Sequence, residues 1–382
     1  MTITFFSNFM NIHQLPFCEE LMKHIGAENF HFVANTRMDP DRVQMGFEDM
    51  NVTKPFVVRA YEGGEALEKA KALAKESDVA IFGSASQVFQ HIRLSENKLS
   101  FRYNERVFKQ GYLRILDPRV QKLYRSLFTQ YREKELYVLC ASAYTKPDLR
   151  LLGFPAEKCF KWGYFPEMKQ YPDFDYLCEK KSGLKRSGVS ILWAGRLIGW
   201  KHPEVALSVA KHLKEKGTEF EMNIIGDGPL RADLEKEVSV IGLSDTVHLL
   251  GAQSHDVVLG EMEKTDIYLF TSDKNEGWGA VLNEAMNAGC AVVANKNIGS
   301  APFLVQPDKN GLLYSGKTSD ICQKVNCLIH DPSYRIKMGK LAWETINQHW
   351  GISTATSNLF RLIEDLRNKV GSSIVDGPCS QA

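Results

Sequence analysis

The chain alternates short apolar runs with longer amphipathic stretches. In its first half, residues 3–6, 30–34, 56–59, 79–82, 99–103 and 136–140 are runs of strand length rich in Phe, Val, Ile and Leu. Between them, residues 16–25 and 65–76 have helical spacing. Residues 160–166 close this half, and a polar, charged stretch at 167–187 reads as a linker. The alternation then restarts, with predicted strands at 189–194, 221–225, 246–251, 266–271 and 290–294 and a helix over about 204–216 that opens on Pro203. Strand and helix in strict turn predict parallel α/β sheets, and the restart predicts two of them. The last helices fall at 332–349 and 353–369, followed by a Gly/Ser/Pro-rich tail from Gly371 that is expected to fray.

With 382 residues the chain can form two domains, each with its own core. The expected division is 1–166, a linker at 167–187, a second domain at 188–350, and a final helix and tail at 351–382. Charge favours no partner, since 47 Lys and Arg face 46 Asp and Glu. No basic leader precedes an apolar segment and no run approaches a membrane span, so a cytoplasmic location is expected. Eight cysteines occur without a Cys-x-x-Cys pair. Several of them (Cys140, Cys290, Cys322, Cys327) lie in apolar runs and read as buried thiols of a reducing compartment.

One stretch concentrates the chemistry. Residues 275–289 (Asn-Glu-Gly-Trp-Gly-Ala-Val-Leu-Asn-Glu-Ala-Met-Asn-Ala-Gly) lie between two predicted strands and read as a Gly-rich turn opening a short helix. Such a turn lies outside the carboxyl ends of the strands, where α/β sheets bind ligands. Gly277 and Gly279 allow close backbone approach, and the amides near Trp278, Gly279, Ala280 and Val281 favour an anion. Yet Glu276 and Glu284 would repel a bare phosphate. They make sense for a ligand with hydroxyls on either side of its phosphates, as a nucleotide-sugar has. Arg196 and Lys201 follow another predicted strand and Gly195, ahead of a helix, and cations there would offset charge on a departing diphosphate.

The spacing Glu276-x7-Glu284, with Gly277 and Gly279 between, resembles the signature of the family-4 retaining glycosyltransferases, which have the GT-B fold. The match continues through Ala285-Met286, Gly289, the segment 297–302 and the segment 310–314. The resemblance implies two Rossmann-like domains facing across a cleft, an acceptor-binding one first and a nucleotide-sugar-binding one second, with a C-terminal helix crossing back to the first. The stripe Leu359, Leu362, Ile363 and Leu366 gives that helix a face for the purpose. It also implies that Arg196 and Lys201 hold the donor pyrophosphate, that turns at Gly226, Gly228 and Leu250 line the base and ribose, and that transfer proceeds with retention. Glu276 would orient the sugar and Glu284 bind the ribose. Fixed cations and the helix dipole then supply the positive field, so no metal and no cofactor is expected beyond the nucleoside diphosphate-sugar, UDP first among the bases.

On the acceptor side, His13 in the first strand-to-helix loop and Glu105 and Arg106 after the strand at 99–103 are candidates by position alone. Two Asp-x-Asp triplets, at Asp39 and at Asp173, read as surface rather than as metal ligands. Residues 102–134 mix Arg and Lys with Tyr and Phe, a composition suited to an anionic membrane surface, and no nucleic-acid module accompanies them. Within the family, the loop at 11–16 and the segments at 101–111 and 140–144 resemble enzymes that build bacterial capsule or exopolysaccharide on lipid-linked acceptors at the inner membrane face, which fits a peripheral, basic-aromatic segment. Three rival readings share the architecture: a sugar-nucleotide epimerase, a phosphorylase, and a non-catalytic nucleotide-sugar-binding subunit.

Overall fold

A computed structural model describes residues 1–38, 48–183 and 188–382; the triplet Asp39-Pro40-Asp41 lies outside them. The chain forms two compact units, Met1–Glu167 with Gly351–Ala382, and Met168–Trp350. The first holds a parallel sheet of β1 (Ile3–Ser7), β2 (Phe30–Ala34), β3 (Val57–Arg59), β4 (Val79–Phe82), β5 (Ser100–Asn104), β6 (Leu136–Cys140) and β7 (Cys159–Lys161). Its spatial order is β3-β2-β1-β4-β5-β6-β7. The second holds β8 (Val189–Ala194), β9 (Phe220–Ile225), β10 (Val247–Gly251), β11 (Ile267–Phe270), β12 (Ala291–Asn295) and β13 (Leu312–Tyr314), in the order β10-β9-β8-β11-β12-β13. Every pairing is parallel.

The apolar runs explain this layering. Every residue of β1, β4, β11 and β12 is buried, as a parallel sheet covered on both faces requires. In the second unit the helix Pro203–Glu215 buries Ala206, Leu207, Val209, Ala210 and Leu213 against one face of the sheet. Each strand order reverses once, between β1 and β4 and between β8 and β11. At such a reversal the loops that follow the two strands run apart and leave a crevice.

Three expectations change. The stretch at 167–187 is not a plain linker, because the helix Phe174–Ser182 lies within it and buries Phe174 and Leu177 in the second unit. Lys169 and Lys180 both pair there with the buried Glu263 carboxylate, and Tyr171 Oη donates to it at 3.1 Å. Asp173 accepts from Tyr176 N at 2.9 Å as the helix cap, which accounts for the second Asp-x-Asp triplet. Cys327 is exposed rather than buried, although Cys140, Cys290 and Cys322 are buried.

The third change is at the tail, which is packed rather than frayed. The helix Ile352–Arg367 buries Leu359, Leu362 and Ile363 and packs on the helix Leu15–Ile25 of the first unit. Residues beyond it return to the exposed edge of the sheet, where Cys379 N donates to Lys161 O at 2.7 Å and Lys161 N to Ser380 O at 2.8 Å. An edge strand presents unpaired backbone groups, and β7 finds partners for them in the tail. Cys379 is fully buried. A charge at that position would cost several kcal/mol unless the tail left its seat. Cys379→Asp is therefore expected to make residues 371–382 sensitive to limited proteolysis while the rest of the unit stays resistant. Equal resistance of the two proteins would show the tail to be held by something else.

Candidate functional site

In the second unit the sequence motifs converge on the reversal between β8 and β11. After β8 the chain passes through Gly195 and Arg196 into a single helical turn, Gly199–Lys201. That turn is pinned to the end of β11. Thr271 Oγ1 donates to Lys201 O at 2.7 Å and accepts from Trp193 Nε1 at 2.7 Å, while Asp273 N donates to Trp200 O at 3.0 Å. His202 then takes a left-handed conformation, with φ of 51°, and lies 3.5 Å from Asp273 Oδ2. These contacts aim Lys201 at Glu276. The two side chains form an ion pair while only 14% and 10% exposed, and the Lys201 ammonium also lies 4.8 Å from the centre of the Trp200 ring. At low exposure the attraction between the two charges is greater than in open water, and it is set against the cost of taking both out of solvent.

The Glu276 loop is shaped by its neighbours. Asp273 Oδ1 accepts from Asn275 N at 2.7 Å, turning the chain, and Glu276 N donates to Asp273 O at 3.1 Å. Gly279 has φ of 80°, and a Cβ there would stand 2.4 Å from the Phe270 ring, so only glycine fits. The helix Val281–Asn287 follows. Glu284 on it is half-buried, and its carboxyl has no hydrogen-bond or ion-pair partner among the described residues. Burial alone pushes it up from 4.5 to about 7. The negative charge of Glu276 is thus met by Lys201, whereas that of Glu284 is not met by the protein.

The remaining predicted residues take varied places. Gly226 has φ of 144°, and a Cβ on it would stand 1.8 Å from Gly195 O, so β8 and β9 can end this close together only with glycine there. Gly228 is likewise pressed against Leu197 O. Leu250 sits at an irregularity in the pairing of β10 with β9 and points into solvent. Arg196 is exposed, 5.8 Å from the Trp200 ring centre, and does not reach Glu276 as Lys201 does. Trp278 was expected to contribute through its backbone amide, and its side chain is turned inward. Its side chain is 1% exposed, packs near Trp350 and Phe303, and donates through Nε1 to Asn283 Oδ1 at 2.8 Å, so only its backbone can face a ligand. Trp193, Thr271 and Asp273 were missed by sequence reasoning, since ordinary strand-end residues give no local sign that they aim a lysine.

In the first unit, Glu105 and Arg106 follow β5, but both are engaged. Glu105 pairs with Lys109 and accepts from Tyr164 Oη. Arg106 lies over the Tyr144 ring at 4.6 Å and 3.7 Å from Asp148, whose Oδ2 accepts from Val107 N and Phe108 N at 2.9 Å each. Burial raises the Asp148 carboxyl, with those amides and Arg106 drawing it back. His13 is exposed, with its ring centre 6.3 Å from that of Tyr164. A polar cavity of about 400 Å³ opens at the carboxyl ends of β1, β4 and β5, and Glu105 and Arg106, though not His13, line it. The basic and aromatic stretch at 102–134 divides: Arg102, Phe108, Phe128 and Tyr131 are buried, whereas Leu113 and Leu116 are 84% and 73% exposed. Among the described residues no three His, Cys, Asp or Glu gather as for a metal ion, and no helix is long and apolar enough to cross a membrane.

Comparison with known proteins bears on both units. Over nearly the whole chain (96%, against 100% of the neighbour) the fold matches that of Anabaena Alr3699/HepE in complex with UDP, with a TM-score of 0.69 at 17% identity. The fold is GT-B. Residues 179–344 match the family described as "Glycosyl transferases group 1". The alpha-D-kanosaminyltransferase of Streptomyces kanamyceticus is 25% identical over 222 residues, 57% of this chain and 57% of that protein. The amylovoran biosynthesis glycosyltransferase AmsK of Erwinia amylovora is 31% identical over 200 residues, 50% of this chain and 46% of that one. The chain thus spans about half the length of these curated relatives.

Glu284 makes the site sensitive to pH in the absence of ligand. Its folded pKa lies above its unfolded one, so the folded state holds the extra proton between 4.5 and about 7 and loses stability as pH rises through that window. The full effect approaches about 3 kcal/mol above pH 7. Glu284→Gln carries no such titration. Urea unfolding of the second unit is expected to show the variant no more stable than wild type at pH 4.5 and more stable, by up to that amount, at pH 8. A constant difference across the range would mean that the carboxyl is already solvated.

Proposed function

We propose that the chain is a metal-independent retaining glycosyltransferase. It moves a sugar from a nucleoside diphosphate-sugar, UDP first among the bases, to an acceptor hydroxyl. The observation that carries the reading is the buried Lys201–Glu276 pair beside Glu284, partnerless among the described residues, at the strand reversal of the segment that matches the group 1 glycosyltransferases. The fold neighbour in complex with UDP supports the choice of base.

In this reading the resting site neutralises itself. A diphosphate entering between Arg196 and Lys201 competes for the Lys201 ammonium and frees Glu276 to accept from sugar hydroxyls. As the glycosidic bond breaks, charge builds on the leaving diphosphate, and both cations stabilise it without rearrangement. Glu284 gains hydrogen-bond donors from the ribose diol that the protein does not supply, and the exposed Leu250 offers an apolar surface to the base. Glu276→Gln is expected to lower kcat by about 10²-fold while changing UDP affinity less than about threefold. Glu284→Ala is expected to weaken UDP about tenfold, the scale of one lost charged hydrogen bond. Equal loss of UDP affinity in the two variants would assign both acids to the nucleotide. Product analysis with sugar nucleotide alone would reveal epimerisation if that were the reaction.

The acceptor is proposed to be a lipid-linked glycan of capsule or exopolysaccharide synthesis, and the name of the amylovoran relative supports that pathway. Arg114, Arg119, Lys122 and Arg125 are interleaved in sequence with the exposed Tyr112, Leu113, Leu116 and Leu123, a pattern suited to peripheral docking on an anionic inner membrane face. Flotation with phosphatidylglycerol vesicles is expected to carry the protein, with Leu113→Glu/Leu116→Glu abolishing it. Equal recovery with neutral phosphatidylcholine vesicles would remove the docking reading.

A further inference from the structure

Two arginines of the first unit are buried, and they are treated in opposite ways. Arg93 donates six hydrogen bonds, five of them to the carbonyls of Ala74, Ser77, Asp78 and Leu99, and closes off the loops around it. Its guanidinium has no donor to spare. Arg102, on β5, is only 5% exposed and makes a single hydrogen bond, from Nη1 to Gln90 Oε1 at 2.6 Å. Gln90 is itself fixed by donating to Leu127 O at 2.6 Å. Arg102 Nε is buried without an acceptor, and the Phe128 ring lies 5.5 Å away. A guanidinium offers five donors, of which one is engaged among the described residues and Nε is buried without an acceptor, a costly state for a desolvated charge.

Arg102 lines the polar cavity at the reversal between β1 and β4, with Arg106, Lys109 and Glu105 on its wall. The carboxylates nearby face other groups, although Asp148 Oδ1 is itself buried without a hydrogen-bond partner. Glu105 is held by Lys109 and Tyr164, and Asp148 lies behind Arg106 with two backbone amides on one oxygen. Among the described residues no carboxylate acts on Arg102 and the Tyr124 hydroxyl is the one charge-bearing neighbour that supports its cationic form, while burial lowers its pKa to about 10. Amide and hydroxyl groups of Asn8, Gln14 and Ser84 complete the lining. The cavity therefore has a net positive wall and an undercompensated guanidinium in its floor.

We propose that this cavity is a binding site for a small oxyanion, with Arg102 as its central donor and Lys109 at its rim. The site rests on the first unit's own geometry. Only the assignment of that oxyanion to the sugar acceptor, as a phosphoryl group of a lipid carrier or the carboxylate of an acidic sugar, rests on the transferase reading above.

The test uses the full chain carrying Arg196→Ala and Lys201→Ala, so that no anion is held by the cations of the second unit. Pyrophosphate and glucuronate are titrated calorimetrically at fixed ionic strength. One of the two is expected to bind with unit stoichiometry. Arg102→Gln is expected to weaken it about tenfold or more, and Lys109→Ala, at a partly exposed position that leaves the core intact, by about threefold to tenfold. Preference for pyrophosphate identifies a phosphoryl group as the ligand, and preference for glucuronate a sugar carboxylate. Failure of both anions to bind, or binding that neither Arg102→Gln nor Lys109→Ala alters, overturns the site. Because the readout is binding without a sugar nucleotide, loss of the transferase reading would leave the result standing. Loss of the cavity would likewise leave the donor assignment untouched.

Discussion

The ion pair between Lys201 and Glu276 is the constraint on which the second unit's site depends. The partners are 75 residues apart and meet because strand order reverses between β8 and β11. Lys201 could not reach Glu276 from a loose loop. It is delivered by a single helical turn whose carbonyls at Trp200 and Lys201 accept from Asp273 N and Thr271 Oγ1. Thr271 is in turn held by the indole of Trp193 in the core. A chain of hydrogen bonds thus runs from the middle of the sheet to the charged atoms, and it fixes their geometry before any ligand arrives.

That pairing also explains why the two glutamates of the loop are not equivalent. They lie on one motif, yet Glu276 has its counter-charge supplied in the resting state, while Glu284 has burial and no partner among the described residues. A carboxyl pushed up to about 7 can be present as acid or anion at neutral pH, and hydrogen bonds from an incoming hydroxyl pair would favour the anion. Glu276 cannot be withdrawn from Lys201 without another anion to take its place. A diphosphate is such an anion. The order in which ligand groups can be accommodated therefore follows from which charge is already satisfied.

Much of the architecture was legible in the sequence because parallel strands buried on both faces leave uninterrupted apolar runs, and because Gly226, Gly228 and Gly279 stand where a Cβ would strike backbone or ring. Strand β13 was not legible, since three residues carry no periodicity. The tail was misread because Gly, Ser and Pro usually signal a loose segment, whereas here Cys379 and the open edge of β7 anchor it. The linker was misread for the same kind of reason: its charges meet a buried Glu263 that is distant in sequence. The glutamates and Lys201 could be named as a set, but which of them pair is a property of packing. Arg102 was hidden most completely, as one cation among many in a basic stretch. Its burial and lack of partners appear only when β5 is placed in the sheet.

The two units use the same topological feature with opposite charge. In each, the strand reversal gathers several ionisable side chains, and most of them pair off: Lys201 with Glu276 in the second, Lys109 with Glu105 and Arg106 with Asp148 in the first. In each, a charge-bearing group is left without a counter-charge among the described residues, in a largely desolvated setting. In the second it is a carboxyl, Glu284, and in the first a guanidinium, Arg102. A fold under no functional demand would replace such a group with an apolar one of similar size, because isolated buried charge only costs stability. Arg93 shows what this chain does with a buried arginine whose role is structural: it surrounds the guanidinium with carbonyls. The absence of that treatment at Arg102, and of any partner at Glu284, is most economically explained if each awaits a ligand group, a hydrogen-bond donor for the acid and an acceptor of negative charge for the arginine.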